Sequence, residues 1–125
     1  MVILDTNIII DHLRQNKKGT AFDKIAQSFS KKSLAISIIS AQELYEGEST
    51  KDEEKEKVLI SVINSIRILP YTYEVATLAG RIARDLKRSI GFADAAIAAS
   101  AIINGYQLYT LNKKHFQGIK ELELA

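Results

Sequence analysis

The chain has 125 residues, of which 46% are hydrophobic and 26% charged, and a net charge of +2. That suits a single globular domain over residues 1–125, large enough to bury its own core. The absence of cysteine excludes disulfides, thiolate nucleophiles and cysteine metal ligands, and the small net charge excludes a basic nucleic-acid arm, leaving only local patches for phosphate.

No basic region precedes the N-terminal apolar run, and Asp5 and Asp11 interrupt it, so a signal peptide is not expected. Residues 95–112 carry no formal charge. Asn104, Gly105 and Gln107 nevertheless divide them into a small-residue helix and a short strand rather than a membrane span. A cytoplasmic location is expected, in keeping with the lack of cysteine.

Residues 2–4 are a short continuous apolar run, the pattern of a buried parallel strand. A short helix is expected over about 7–14, a break at Lys17, Lys18 and Gly19, and an amphipathic helix over 20–29. A second strand covers 34–37. Ser40 opens a helix that stops near Gly47. Thr50 and Glu53 have the spacing of a capping box, which predicts a helix from there to about Ser65. A third strand over 66–69 ends at Pro70. Val75, Leu78, Ala79, Ile82, Ala83 and Leu86 recur at helical spacing and predict the core face of a long helix from Thr72. Gly91 precedes a helix over 93–104, residues 107–110 form a fourth strand, and 121–124 are a candidate fifth. Strands alternating with helices predict an α/β sandwich with a mostly parallel central sheet of 4–5 strands and helices on both faces. Sites in such sheets lie outside the carboxyl ends of the strands, which directs attention to Asp5, to residues 37–40, to the segment after Leu69 and to residues 110–112.

Three acids fall near those ends. Asp5 follows the first strand and reads equally as an N-cap or as a ligand. Glu43 reads as the partner of Ser40 in a capping box when taken alone. Asp94 stands in FADAAIAASAII, where Asp94 and Ser100 are the only polar residues. The helix dipole favours it by roughly 0.3–1 kcal/mol, less than the several kcal/mol that burying an ion costs, so it calls for a partner, and a cation is the economical one. Three carboxylates brought together would repel one another, and a hard divalent ion with oxygen ligands reverses that repulsion. His12 is expected on the surface of the first helix and His115 in a polar turn.

The motifs LDTNIII with Asp5, SAQELYEG with Glu43 and DAAIAASA with Asp94 stand in this order over essentially the whole chain. Together they resemble the PIN domain, and within it the small VapC-type toxin ribonucleases. The resemblance implies a PIN-like three-layer sandwich. It implies an endoribonuclease toxin of a toxin–antitoxin system, hydrolysing RNA with water activated by Mg2+ or Mn2+. Asp5, Glu43 and Asp94 become metal ligands and catalytic residues, with Thr6, Asn7, Ser40 and Thr110 in support. Asn112 stands where the family often has a fourth acid and His115 where another is often found, so Asn112 offers at most a weak carbonyl ligand and a second metal is put in doubt. A cognate antitoxin and a homodimer are the implied partners, and no membrane is.

Phosphate contacts need local cations. Arg14, Lys113 and Lys114 flank the expected site; Arg81, Arg84 and Arg88 read as one exposed helical stripe, and Lys17 and Lys18 follow the first helix. Leu44, Tyr45, Val58 and Leu59 are candidates either for an antitoxin groove or for core. The missing fourth acid keeps open an alternative, a non-catalytic PIN scaffold binding RNA or a protein. A phosphoacceptor domain fits less well, because Asp5-Thr6-Asn7 lacks the paired acid such chemistry uses.

Overall fold

The computed structural model describes residues 1–14 and 18–125, so Lys17 lies outside the described residues. Strands β1 (Val2–Leu4), β2 (Leu34–Ser37), β3 (Arg67–Leu69) and β4 (Gln107–Tyr109) form one parallel sheet in the order β3-β2-β1-β4. The register pairs Val2 with Leu34 and Ile3 with Leu108. Helices α1 (Thr6–Arg14), α2 (Ala21–Ser28), α3 (Ile38–Glu46), α4 (Glu53–Ser65), α5 (Tyr73–Asp85) and α6 (Phe92–Asn104) connect the strands.

Side chains alternate across a strand, and that alternation builds two cores. Val2, Leu4, Leu34 and Ile36 face one side, where they pack with Ile8, Ile9 and Leu13 of α1, Phe22 and Ile25 of α2, Leu44 of α3, and Leu59 and Val62 of α4. Ile3, Ala35 and Leu108 face the other and pack against Ile97, Ala98 and Ala101 of α6. The alanines of α6 let it lie close to the sheet on one side and to Val75 and Ala79 of α5 on the other. Gly105 ends α6 in the left-handed region at φ +69°, and the Tyr106 amide donates back to Ala101 O at 2.9 Å, the closure for which glycine is favoured. The layers are those expected, helices on both faces of a parallel sheet, with four strands. The fifth is reduced to a single parallel bridge between Leu108 and Leu124.

Several local expectations give way to tertiary contacts. Ser40 does not open α3. Ser37 caps it, accepting from the Ile39 amide at 3.0 Å, and Ser40 sits wholly buried one turn in. Thr50 does not cap α4. Asp52 does, accepting from the Glu54 amide at 2.9 Å, while Thr50 donates to carbonyls at the end of α3 and just beyond it. Ala83 is exposed rather than part of the α5 core face. His12 is packed rather than free on the surface, its ring 4.9 Å from Phe22 and its Nδ1 2.8 Å from the Thr20 hydroxyl. Of the four groove candidates Leu44 and Leu59 are core, while Tyr45 and Val58 are exposed.

The strand order reverses at β1. The chain steps from β1 to β2 to β3 on one side, then returns to place β4 on the other. The carboxyl ends of β1 and β4 therefore flank the switch point where a crevice forms, and Asp5 and Thr110 are the residues that follow them.

Candidate metal centre at the switch point

Asp5 is 5% exposed. Its amide donates to Tyr109 O at 2.9 Å, continuing the β1–β4 ladder by one residue and fixing the backbone. Its Oδ1 accepts from the Thr6 amide at 2.8 Å and its Oδ2 from the Thr110 hydroxyl at 2.7 Å. Asp5 precedes α1 and its carbonyl accepts from the Ile8 amide at 3.0 Å, but its side chain bonds the first helical amide rather than the second or third that a capping side chain takes. Each carboxylate oxygen keeps a second lone pair for another ligand.

Thr6 reaches the other way. Its hydroxyl lies 2.6 Å from Glu43 Oε1 and 2.8 Å from Ser40 Oγ. Glu43 is therefore turned toward α1 and away from the Ser40 amide, which overturns the capping-box reading. Asn7 bridges to the far strand end: its Nδ2 is 3.5 Å from Thr110 Oγ1, and its Oδ1 accepts from the Leu111 amide at 3.3 Å. The Asn112 amide also donates to Thr110 Oγ1, at 3.0 Å.

Asp94 lies in the first turn of α6 with 26% of its side chain exposed. It has a protein partner that the sequence pattern did not reveal. His115 Nδ1 stands 3.2 Å from Asp94 Oδ2, and His115 Nε2 is 3.0 Å from Asn112 Nδ2. The His115 ring thus lies between Asp94 and Asn112 and gives Asp94 a partner within the chain, beside the cation that the sequence offers as the economical one. Arg88 supports the same turn, donating to His115 O at 2.8 Å and Gln117 O at 2.7 Å. It is not one of a free cationic stripe, and Arg84 is likewise engaged, with Asp85 at 2.7 Å.

Burial pushes the Asp5 carboxyl above its ordinary value; the Thr110 bond opposes this, and the charge of Asp94 adds to it. Burial raises Asp94 as well, with His115 opposing and Glu43 adding. The three acids therefore sense one another, Asp5 with Asp94 and Asp94 with Glu43. Among the described residues no three acidic or histidine side chains stand as a ready-made metal cage. The donors present are hard carboxylate oxygens in mutual repulsion, two of them disfavoured as anions. That set fits a hard divalent cation whose remaining positions are filled by water, as Mg2+ prefers.

Two cavities reach Glu43. One, of about 420 Å³, is lined by Ile39, Gln42, Glu43, Glu46, Phe92 and Asp94 among others. The other, of about 280 Å³, brings Arg14 and Lys55 to the opposite side of Glu43. Lys55 is a cation the sequence pattern did not single out. Lys113 and Lys114 are exposed on the short 3-10 turn Lys113–Phe116 that carries His115. A larger cavity of about 710 Å³ lies between α2 and α4, lined by Phe22 and Val58 among others, and contains none of the three acids.

A parallel α/β sheet with acids and supporting hydroxyls at its switch point defines a carboxylate-centred α/β domain. The PIN domain model matches residues 2–122, and the chain belongs to that family. It is 34% identical over 126 residues to ribonuclease VapC10 of Mycobacterium tuberculosis, covering 98% of this chain and 91% of that one. It is 32% identical over 127 residues to ribonuclease VapC1 of Methanocaldococcus jannaschii, covering 98% and 84%. Among solved structures it superposes on a chain of VapBC2 from Rickettsia felis bound to a promoter DNA fragment, with a TM-score of 0.85 at 26% identity over 100% of this chain and 98% of that one. A chain of VapBC-1 from nontypeable Haemophilus influenzae gives a TM-score of 0.80 at 29% identity, over 100% and 97%.

Proposed function

We propose that this protein is an endoribonuclease, the toxin of a VapBC-type toxin–antitoxin pair, and that it requires Mg2+ or Mn2+. The observation that carries this reading is the convergence of Asp5, Glu43 and Asp94 at the switch point, with Thr6 bonded to the first two. The resemblance to VapC ribonucleases over 98% of the chain supports it.

Bound Mg2+ or Mn2+ supplies Lewis acidity and an activated water for attack on a phosphodiester. The chain's own residues do the rest. Asp5, Glu43 and Asp94 hold the cation, and Thr6, Ser40 and Thr110 fix the carboxylates' orientation, the role such supporting partners play around metal ligands. Asn112 contributes no charge; its Nδ2 is engaged by His115 Nε2, and its carbonyl oxygen is left as at most a weak ligand. Arg14, Lys113 and Lys114 draw the RNA backbone toward the acids. Tyr45 and Val58, the exposed members of the groove candidates on α3 and α4, are the expected contacts for the antitoxin. A homodimer is the expected assembly and the cytoplasm the expected location. No helix among the described residues is long and apolar enough to cross a membrane.

Asn112, standing where the family often has a fourth acid, favours one second reading, a PIN scaffold that binds RNA or protein without cutting. Calorimetry separates the two. The nuclease reading predicts divalent-ion binding at millimolar concentration or below, strengthened by RNA. No heat of binding in either condition supports the scaffold.

A further inference from the structure

The cavity of about 420 Å³ that opens beside Glu43 and Asp94 is walled by a ring the metal chemistry does not use. Phe92, two residues before Asp94, is 67% exposed. Its ring is braced by Tyr71, with centroids 5.8 Å apart and planes tilted by 59°. Leaving a large apolar ring in water is unfavourable, and here it is held at a fixed angle at the rim of the candidate centre.

Across the same cavity, Gln42 and Glu46 stand one turn apart on α3, both exposed. Gln42 Nε2 donates to Glu46 Oε1 at 2.9 Å. A carboxylate only accepts, so the bond fixes the amide with its nitrogen toward Glu46. The carbonyl oxygen of Gln42 and the second oxygen of Glu46 remain as acceptors. The cavity therefore offers one aromatic face and a pair of acceptors, next to carboxylates that fit a phosphate-bound cation.

We infer that this cavity is a nucleobase subsite: a base of the RNA chain stacks on Phe92 and presents an exocyclic amine to Gln42 and Glu46. The inference rests on the ribonuclease reading for the identity of the polymer. Every base has a face that stacks on an aromatic side chain, so Phe92 supplies affinity without sequence preference. Discrimination comes from the acceptors. Adenine, cytosine and guanine carry an amine that can donate to them. Uracil sets two carbonyl oxygens around a single N–H, so its edge meets acceptors largely with acceptors. Bases with an exocyclic amine are thus preferred over uracil. Lys113 and Lys114, on the turn whose His115 contacts Asp94, serve the phosphates rather than the base.

The chain has no tryptophan, so Phe92→Trp places a single fluorophore at the subsite. Titrate this variant with single-stranded oligo(A), oligo(C) and oligo(U) in calcium, and follow emission together with the anisotropy of labelled RNA. Stacking quenches the tryptophan. Phe92→Ala then weakens binding of oligo(A) roughly 10-fold, and Gln42→Ala together with Glu46→Ala removes the preference of oligo(A) over oligo(U). Emission that does not move while anisotropy reports bound RNA overturns the inference. So does Phe92→Ala that leaves RNA affinity intact and instead shifts sedimentation of the free protein, since a second copy then covers the ring. Quenching without any cleavage by the unaltered protein sinks the ribonuclease reading and leaves the subsite standing. Cleavage without quenching does the reverse.

Discussion

Thr6 Oγ1 lies 2.6 Å from Glu43 Oε1, while the Thr6 amide donates to Asp5 Oδ1 at 2.8 Å. One residue thereby couples a carboxylate at the end of β1 to another on α3, and sets the spacing of two proposed ligands. Thr6→Val keeps the shape and removes the donor. It leaves Glu43 and the buried Ser40 hydroxyl short of a partner, at a cost of about 2 kcal/mol, or roughly 8 °C in Tm. Cleavage is expected to fall about 100-fold through misplaced ligands, and Thr6→Ser, which keeps the hydroxyl, to recover most of it. Thermal melts and a cleavage assay on both variants check this.

Asp94 sets function against stability. Burial and the charge of Glu43 raise its carboxyl in the folded chain, although His115 opposes them. The folded state therefore holds this proton to higher pH than the unfolded state does. Between the ordinary carboxylate value and the raised one, the folded state binds more protons, and stability falls as pH rises through that window. Asp94→Asn keeps an acceptor for His115 and removes the charge. Its Tm is expected to exceed that of the parent above the raised value and to converge with it below the ordinary carboxylate value, where the parent's carboxyl is protonated in both states. The same substitution is expected to cut metal-dependent cleavage at least about 100-fold. Differential scanning fluorimetry across that range reads the effect on Tm.

Arg88 fastens the turn that carries His115. Its two bonds to His115 O and Gln117 O join the loop before α6 to the segment after β4. Arg88→Ala removes both at an exposed position and costs about 1 kcal/mol. The stronger effect is expected on the site, since His115 loses its fixed approach to Asp94. Amide exchange over residues 112–117 is expected to accelerate while β1 and β2 keep their protection. Unchanged exchange there contradicts the staple.

Chelation supplies a further check. With the acids in mutual repulsion, Mg2+ or Mn2+ is expected to bind the folded state and raise Tm in a concentration-dependent way. EDTA reverses that gain in the parent, and Asp5→Asn shows little gain to reverse.

The sheet was legible because its strands are short apolar runs bounded by turn residues: residues 2–4 and 34–37 were placed to the residue. Asp5 and Thr110 followed from the rule for sites at strand ends. The capping box at Ser40 does not form because Thr6, 34 residues away, competes for both Ser40 and Glu43, and that at Thr50 does not because the Thr50 hydroxyl turns to carbonyls at the end of α3; local spacing shows neither. His115 was missed as the partner of Asp94 for the same reason. Nothing in LYTLNKKHF shows that a turn will carry its imidazole onto the start of α6. The one available signal was the polar run after β4, which had to go somewhere near the same strand end. Arg88 matched the helical period of Arg81 and Arg84, but α5 ends at Asp85, which frees it to bond the turn instead of lining a stripe.

The central claim is that three carboxylates hold a divalent cation that cuts RNA. Purified protein incubated with total RNA in Mg2+ or Mn2+, beside Asp5→Asn and Asp94→Asn, tests it most directly. The account predicts discrete cleavage products with the parent, none with EDTA, and a loss of at least about 100-fold in both variants. Cleavage by both variants at the parent's rate would contradict the account.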